Sequence, residues 1–134
     1  MEHALIAKLK VQPGECIEVK GKIFPDAKGF IVNLGKDRDN LVLHFNPRFD
    51  HEGDVNTIVC NSKQDGIWGE EERDTYFPFQ QGEKFQVSFT FDTSELKVKL
   101  AEDHEISFPN RLGMETVEFL SVEGDVKMKV LKFA

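Results

Sequence analysis

The chain has 134 residues, 40% hydrophobic and 31% charged, which suffices for one ordinary domain, residues 1–134, whose core needs neither disulfide nor metal. Its 17 basic and 24 acidic residues leave a net charge of −7, which repels a phosphate backbone and argues against general nucleic-acid binding and anionic membrane surfaces alike. The start, MEHALIAKLK, has no apolar run of signal-peptide length, and no segment approaches the roughly 18 apolar residues of a membrane span, so synthesis in the cytosol without membrane insertion is expected.

Taken in order, short apolar–polar alternations recur between turn signals. Val11 to Gly14 turns after a first short strand. Cys16 to Ile23 alternates Ile17, Val19 and Gly21 with charged residues, and Pro25-Asp26 ends it. Phe30, Val32 and Leu34 alternate with Ile31, Asn33 and Gly35. A polar turn, Lys36 to Asn40, leads into a strand over Leu41 to Phe49. Asp50 to Asp54 forms a loop with a glycine for positive φ. Val55 to Asn61 is the next strand, and Lys63 to Gly66 turns into Ile67-Trp68-Gly69. Gly69 to Asp74 is the one helix-like stretch, too short and too acidic for a stable helix. Pro78 confines the following segment to an edge or a short strand. Phe85, Val87, Phe89 and Phe91 give the clearest period of two. Leu96 to Leu100 alternates likewise, continued by Ile106 and Phe108, and Thr116 to Val122 and Val126 to Phe133 finish the chain.

This spacing predicts an all-β chain of about ten to twelve strands, arranged as a sandwich of two antiparallel sheets, with a closed barrel as the alternative. Core packing accounts for most of the 12 phenylalanines. The two cysteines, Cys16 and Cys60, are too few for a disulfide framework, and each lies in an apolar stretch that predicts a buried, inert thiol.

Catalytic signatures are missing. There is no Gly-x-Ser-x-Gly elbow, no phosphate-cradling glycine loop and no Cys-x-x-Cys. Glu70, Glu71 and Glu72 offer carboxylates, but sugar hydrolysis needs two across the scissile bond with one pKa raised, and a run of three reads first as a solvated face. His44 and His51 straddle a loop without a spaced ligand cluster, so neither a metal nor a cofactor is expected.

The informative stretch is His44-Phe45-Asn46-Pro47-Arg48-Phe49. On a strand, successive side chains point to opposite faces. His44, Asn46 and Arg48 then line one face, backed by Phe45, Pro47 and Phe49. Such a stripe offers donors and acceptors without a nucleophile, which suits the reading of hydroxyl groups. A sugar site also needs an aromatic plate. The single tryptophan, Trp68, lies between Gly66 and Gly69 in polar surroundings that favour exposure over a core position. By parity Asn61 shares a face with Val55, Thr57 and Val59, although an asparagine there can equally form the turn. Glu71 and Arg73 share a face by their spacing, at the least as an exposed ion pair.

These residues together resemble the signature of the galectins. The resemblance rests on the hexapeptide, Asn61, and Trp68-Gly69-x-Glu71-x-Arg73. It is extended by Pro13-Gly14-Glu15, Asn33-Leu34-Gly35, Asn56 to Asn61, Phe77-Pro78-Phe79 and Phe108-Pro109-Asn110-Arg111, and so spans nearly the whole chain. It is similar to the single-domain subgroup.

The resemblance implies a jelly-roll-like sandwich that binds β-galactosides such as lactose and N-acetyllactosamine in a groove on one sheet. It implies that His44, Asn46 and Arg48 hydrogen-bond the axial 4-hydroxyl of galactose, and that Asn61 and Glu71 take the 6-hydroxyl. Trp68 stacks on the sugar's apolar face, and Arg48, Glu71 and Arg73 reach the neighbouring sugar. Asp54 holds the arginines through charge-assisted hydrogen bonds. It further implies a homodimer formed through the terminal strands, for which Leu5, Ile6, Leu9, Val130, Leu131 and Phe133 are candidates; those residues also suffice simply to close the sandwich. Galectins occur in the cytosol and outside cells without a signal peptide, where Cys16 and Cys60 would meet oxidants.

One departure from the family pattern stands in the loop. Relatives often have histidine directly before its glycine; this chain has Glu52-Gly53, with His51 displaced by one. The change is expected to alter preference among extended glycans and to disfavour anionic substituents near the galactose 3-position. A structural or protein-interaction member without sugar binding is the alternative, but none of the site residues is replaced. A glycoside hydrolase lacks the paired acid and nucleophile.

Overall fold

The computed structural model describes residues 3–133, with the backbone alone at His3, Val130, Lys132 and Phe133. Its strands are β1 (His3–Val11), β2 (Cys16–Ile23), β3 (Phe30–Asp37), β4 (Asn40–His51), β5 (Asp54–Gln64), β6 (Ile67–Trp68), β7 (Glu72–Asp74), β8 (Lys84–Phe91), β9 (Glu95–Lys99), β10 (Glu105–Pro109), β11 (Val117–Gly124) and β12 (Val126–Phe133). One sheet runs β1-β11-β3-β4-β5-β6, with β7 also paired to β5. The other runs β10-β9-β8-β2-β12. All paired strands are antiparallel, so the sandwich expected from the turn spacing is the fold found.

The period of two explains the core. Ile17, Val19, Ile23, Val87, Phe89 and Phe91 of the five-stranded sheet face Phe30, Val32, Leu34, Phe45 and Ile58 of the other, all buried. Phe45 meets Phe89 across the sheets at 5.4 Å, edge to face. On the other face of β4 the stripe of polar groups remains, because its partner β5 supplies Asn61, Val59 and Thr57 opposite His44, Asn46 and Arg48. The shared face expected for Thr57, Val59 and Asn61 is thus present.

Two tight hairpins set these registers. Glu52 and Gly53, both at positive φ, join His51 to Asp54. Asp65 and Gly66, again both at positive φ, join Gln64 to Ile67. Two consecutive positive-φ residues match the right-handed twist of the strands they connect. Both loops are shorter than the sequence suggested, since pairing continues through the polar residues at their flanks.

Gly69 to Asp74 forms no helix, as its shortness and acidity predicted; its end is the edge strand β7, in which Glu72 is exposed and Asp74 half-buried. Two expectations are corrected. A 3-10 turn spans Ala101–Asp103 and divides Leu96 to Leu100 from Ile106 and Phe108, which pair as a hairpin. Cys60 is buried as expected, but Cys16 is only half-buried. It opens β2 on the face opposite the core-facing Ile17 and Val19, beside the exposed Gln12 to Glu15 turn.

Candidate binding site

The outer face of β4 gathers the polar groups, and hydrogen bonds use up part of each. Asn46 donates to the Phe30 carbonyl at 2.8 Å, and its Oδ1 accepts from Arg48 Nε at 2.9 Å. One amide N–H is left over. Arg48 also donates from Nη1 to Asp54 Oδ2 at 2.8 Å, which leaves Nη2 and one Nη1 hydrogen. Both side chains are largely buried beneath their neighbours, so their positions are fixed. His44 Nδ1 lies 2.8 Å from Asn33 Oδ1, so Nε2 is the ring nitrogen still open. Burial first, and then the Arg48 charge, push the imidazole pKa down to about 4. The ring is therefore neutral at physiological pH.

Asp54 sits between two arginines. Arg73 donates to it from Nε and Nη2, each at 3.0 Å, and donates from Nη2 to Glu71 at 3.1 Å. The hydrogen bond from Arg73, followed by that from Arg48, holds the Asp54 carboxyl below its usual range despite opposing desolvation. The Arg73 pKa is raised by the same bond to Asp54. Val59, fully buried, stands opposite Asn46 on one side and Arg73 on the other, and so floors the row.

Trp68 is 47% exposed, as its polar flanks predicted. The His44 ring meets it nearly edge-on, with centroids 4.7 Å apart, and the Lys63 ammonium stands 4.9 Å over the indole. The glycine beside it makes a close approach possible. A Cβ on Gly69 would lie 2.9 Å from Arg111 Nη1 and 3.0 Å from Ser62 Oγ. The missing side chain makes room for the Arg111 guanidinium, not for space along the indole. Arg111 in turn donates to Asn61 Oδ1 and Ser62 Oγ, and to Glu72. Asn61 is fully oriented: Oδ1 also accepts from the Ser62 N–H, and Nδ2 donates to the Gly69 carbonyl. One amide N–H stays free.

His44, Arg48, Asn61, Trp68, Gly69 and Glu71 line a hollow of about 360 Å³. That size is within the range of small-molecule clefts. A larger cleft, about 520 Å³, lies on the five-stranded sheet. Its polar groups do not converge: Glu18 is taken by Lys20 and Gln86, and Lys99 by Asp103. The hollow on β4 is the better-built site. Among the described residues no cluster of three or more His, Cys, Asp or Glu is placed to hold a metal.

The structure thus brings together His44, Asn46, Arg48, Asp54, Val59, Asn61, Trp68, Glu71 and Arg73. His51 reaches only a side cleft with Lys28, Asn46, Arg48 and Asp125, while Glu52 sits exposed at the hairpin tip, 3.8 Å from His51. Sequence reasoning missed Asn33 and Arg111 as partners of the site. Both stood inside stretches that carried the resemblance, which was the available signal.

A family description, galactoside-binding lectin, matches residues 3–133. The chain is a galectin. It is 62% identical to the chicken 16 kDa beta-galactoside-binding lectin, over the full length of both, and 53% identical to pig galectin-1 over 99% of each. The galectin superposes with a TM-score of 0.95 on CG-16, a homodimeric agglutinin from chicken liver, at 61% identity over 98% of this chain and 100% of the other. A toad ovary galectin solved in complex with thio-digalactose gives a TM-score of 0.94 at 44% identity, covering 98% of each chain.

Proposed function

We propose that this galectin binds β-galactosides, lactose and N-acetyllactosamine among them, and cross-links the glycoproteins and glycolipids that carry them. The observation that carries the reading is the hydrogen-bond polarity left free on β4. With Asn33 Oδ1 facing Nδ1, a neutral His44 presents Nε2 as an acceptor, whereas Asn46 and Arg48 have donors to spare. A single hydroxyl satisfies all three by donating once and accepting twice. The axial 4-hydroxyl of galactose reaches such a point, and an equatorial one leaves preorganised groups unpaired. Asn61, with one free amide hydrogen, and Glu71, with one free oxygen, form a donor–acceptor pair for the 6-hydroxyl. The exposed Trp68 supplies the plate for the sugar's C–H face. Arg48 and Arg73, locked on Asp54, and Glu71, which accepts from Arg73, extend toward the next sugar. No bond-breaking role is assigned to these groups; binding alone is the activity.

Cross-linking requires two sites per particle. β1 and β12 are the edge strands of their sheets, and Ile6 is 51% exposed on β1. An open strand edge beside an exposed apolar residue supports a two-fold dimer through the terminal strands. Leu5, Leu9 and Leu131 pack on the core instead, while the Val130 and Phe133 side chains lie outside the described residues. The reading also places the protein both in the cytosol and outside cells.

Passage over immobilised lactose tests the function. Retention, with elution by free lactose and no release of galactose, is expected; passage straight through contradicts the reading. Sedimentation at micromolar concentration tests the dimer, and a monomer there removes cross-linking. Fractionation of expressing cells that finds the protein in the cytosol alone removes the export claim.

A further inference from the structure

Behind His44, on the side away from Asn61, lies a polar cluster that the sugar contacts leave unused. Asn33 on β3 stands opposite His44 on β4 and opposite Ser121 on β11. Asn33 is buried and Ser121 completely so. Asn33 Nδ2 donates to Ser121 Oγ at 3.1 Å and to Glu123 Oε2 at 3.2 Å, and Ser121 Oγ donates to the same Glu123 oxygen at 3.2 Å.

A carboxamide has nearly the same shape with its oxygen and nitrogen exchanged, so only its partners decide which end faces which way. The partners here differ in what they dictate. Ser121 both donates and accepts, and satisfies either orientation. A neutral imidazole likewise adapts, by moving its proton from one nitrogen to the other. Glu123 alone has fixed polarity, because a carboxylate only accepts. If Asn33 turned over, its Oδ1 would face a carboxylate oxygen with no hydrogen between them. Glu123 therefore holds Nδ2 on its own side and Oδ1 on the side of His44. His44 Nδ1 must then carry the proton, and Nε2 is left bare.

We infer that Glu123 is a positioning residue that sets the His44 tautomer through Asn33, and so determines that His44 meets a ligand hydroxyl as an acceptor. The ligand half of this inference rests on the lectin reading above; the tautomer half does not.

The test uses Glu123→Gln, which keeps size and shape but has an amide end that both donates and accepts, and Ser121→Ala, which removes a hydroxyl but leaves the carboxylate. Long-range proton–nitrogen NMR of the imidazoles, without sugar and at neutral pH, reads the tautomer directly. Wild type and Ser121→Ala are expected to show His44 with Nδ1 protonated and Nε2 bare. Glu123→Gln is expected to show a mixture of tautomers, with lactose affinity lower about two- to tenfold in proportion to the fraction of the acceptor form, and thermal melting unchanged. Wild-type nitrogen signals in Glu123→Gln overturn the inference. So does Ser121→Ala shifting the tautomer as far as Glu123→Gln, or an affinity loss with no change of tautomer. If the wild-type protein binds no lactose, the lectin reading fails while the sugar-free NMR result still decides the role of Glu123.

Discussion

Asp54 Oδ2 accepts from Arg48 Nη1 at 2.8 Å, from a position six residues further along the same hairpin. The same carboxylate takes both Nε and Nη2 of Arg73. Two like charges are thus held side by side, and both lean on one acid. Replacing Asp54 by Asn keeps the shape and halves the acceptor capacity, so the arginines lose their common anchor. Asp54→Asn is expected to weaken lactose binding at least tenfold while the protein stays folded. Calorimetric titration measures this; unchanged affinity means that the arginines are positioned by the sheet alone.

The depressed His44 pKa sets a pH dependence with a definite sign. An unfolded histidine gains its proton as pH falls through about 6.5, whereas the folded ring stays neutral to about 4. Between those values the unfolded chain binds the extra proton, so this group makes stability rise with pH, by at most about 1.4 kcal/mol per unit. The proposed contact with the sugar hydroxyl needs a bare Nε2. Lactose affinity is therefore expected to hold through the ordinary histidine range and to fall only toward pH 4. Asp54, held below its usual value, stays ionised in that window. A loss of affinity centred near 6.5 would contradict the buried, neutral ring.

Gly69 carries a more distant contact. Its missing side chain admits Arg111, which clamps Asn61. Gly69→Ala pushes the guanidinium aside and frees the Asn61 amide to turn. Lactose binding is expected to weaken several-fold, with a change in the fluorescence of Trp68, the chain's single tryptophan. Affinity and emission equal to wild type would show that Asn61 is held by Ser62 and the Gly69 carbonyl without help.

How much of this could be read in the sequence depended on distance along the chain. The His44, Asn46, Arg48 stripe was legible because alternation on one strand is local, and the exposure of Trp68 was legible because Asp65, Gly66 and Gly69 surround it. Asn33 and Ser121 lie 88 residues apart, and Asn61 and Arg111 lie 50 apart, so no periodicity reports those contacts. Gly69 to Asp74 forms no helix, as its shortness and acidity predicted, but that it ends as an edge strand is decided by pairing with the distant β5 and not by its own residues. The family resemblance named residues that the structure gathers on one face, but not the second set of groups that orients them.

The thiols separate by burial. Cys60 is enclosed, and burial, reinforced by Glu72 and Asp74, pushes its pKa up to about 12. Cys16 is half-exposed at the start of β2. A disulfide reagent added to the native protein is expected to modify Cys16 quickly and Cys60 only on unfolding. Rapid reaction of both would show that β5 opens far more readily than its central place in the sheet implies.

The proposed specificity turns on one hydroxyl being read by His44, Asn46 and Arg48. Lactose and cellobiose differ only in the configuration of that hydroxyl, axial in one and equatorial in the other. Calorimetric titration with both sugars, on the wild type and on Asn46→Ala, isolates it. Lactose is expected to bind the wild type at least a hundredfold more tightly than cellobiose, roughly 2.7 kcal/mol, and Asn46→Ala is expected to remove the preference while keeping the fold. Equal affinity for the two sugars, or a preference that survives in Asn46→Ala, would contradict that specificity.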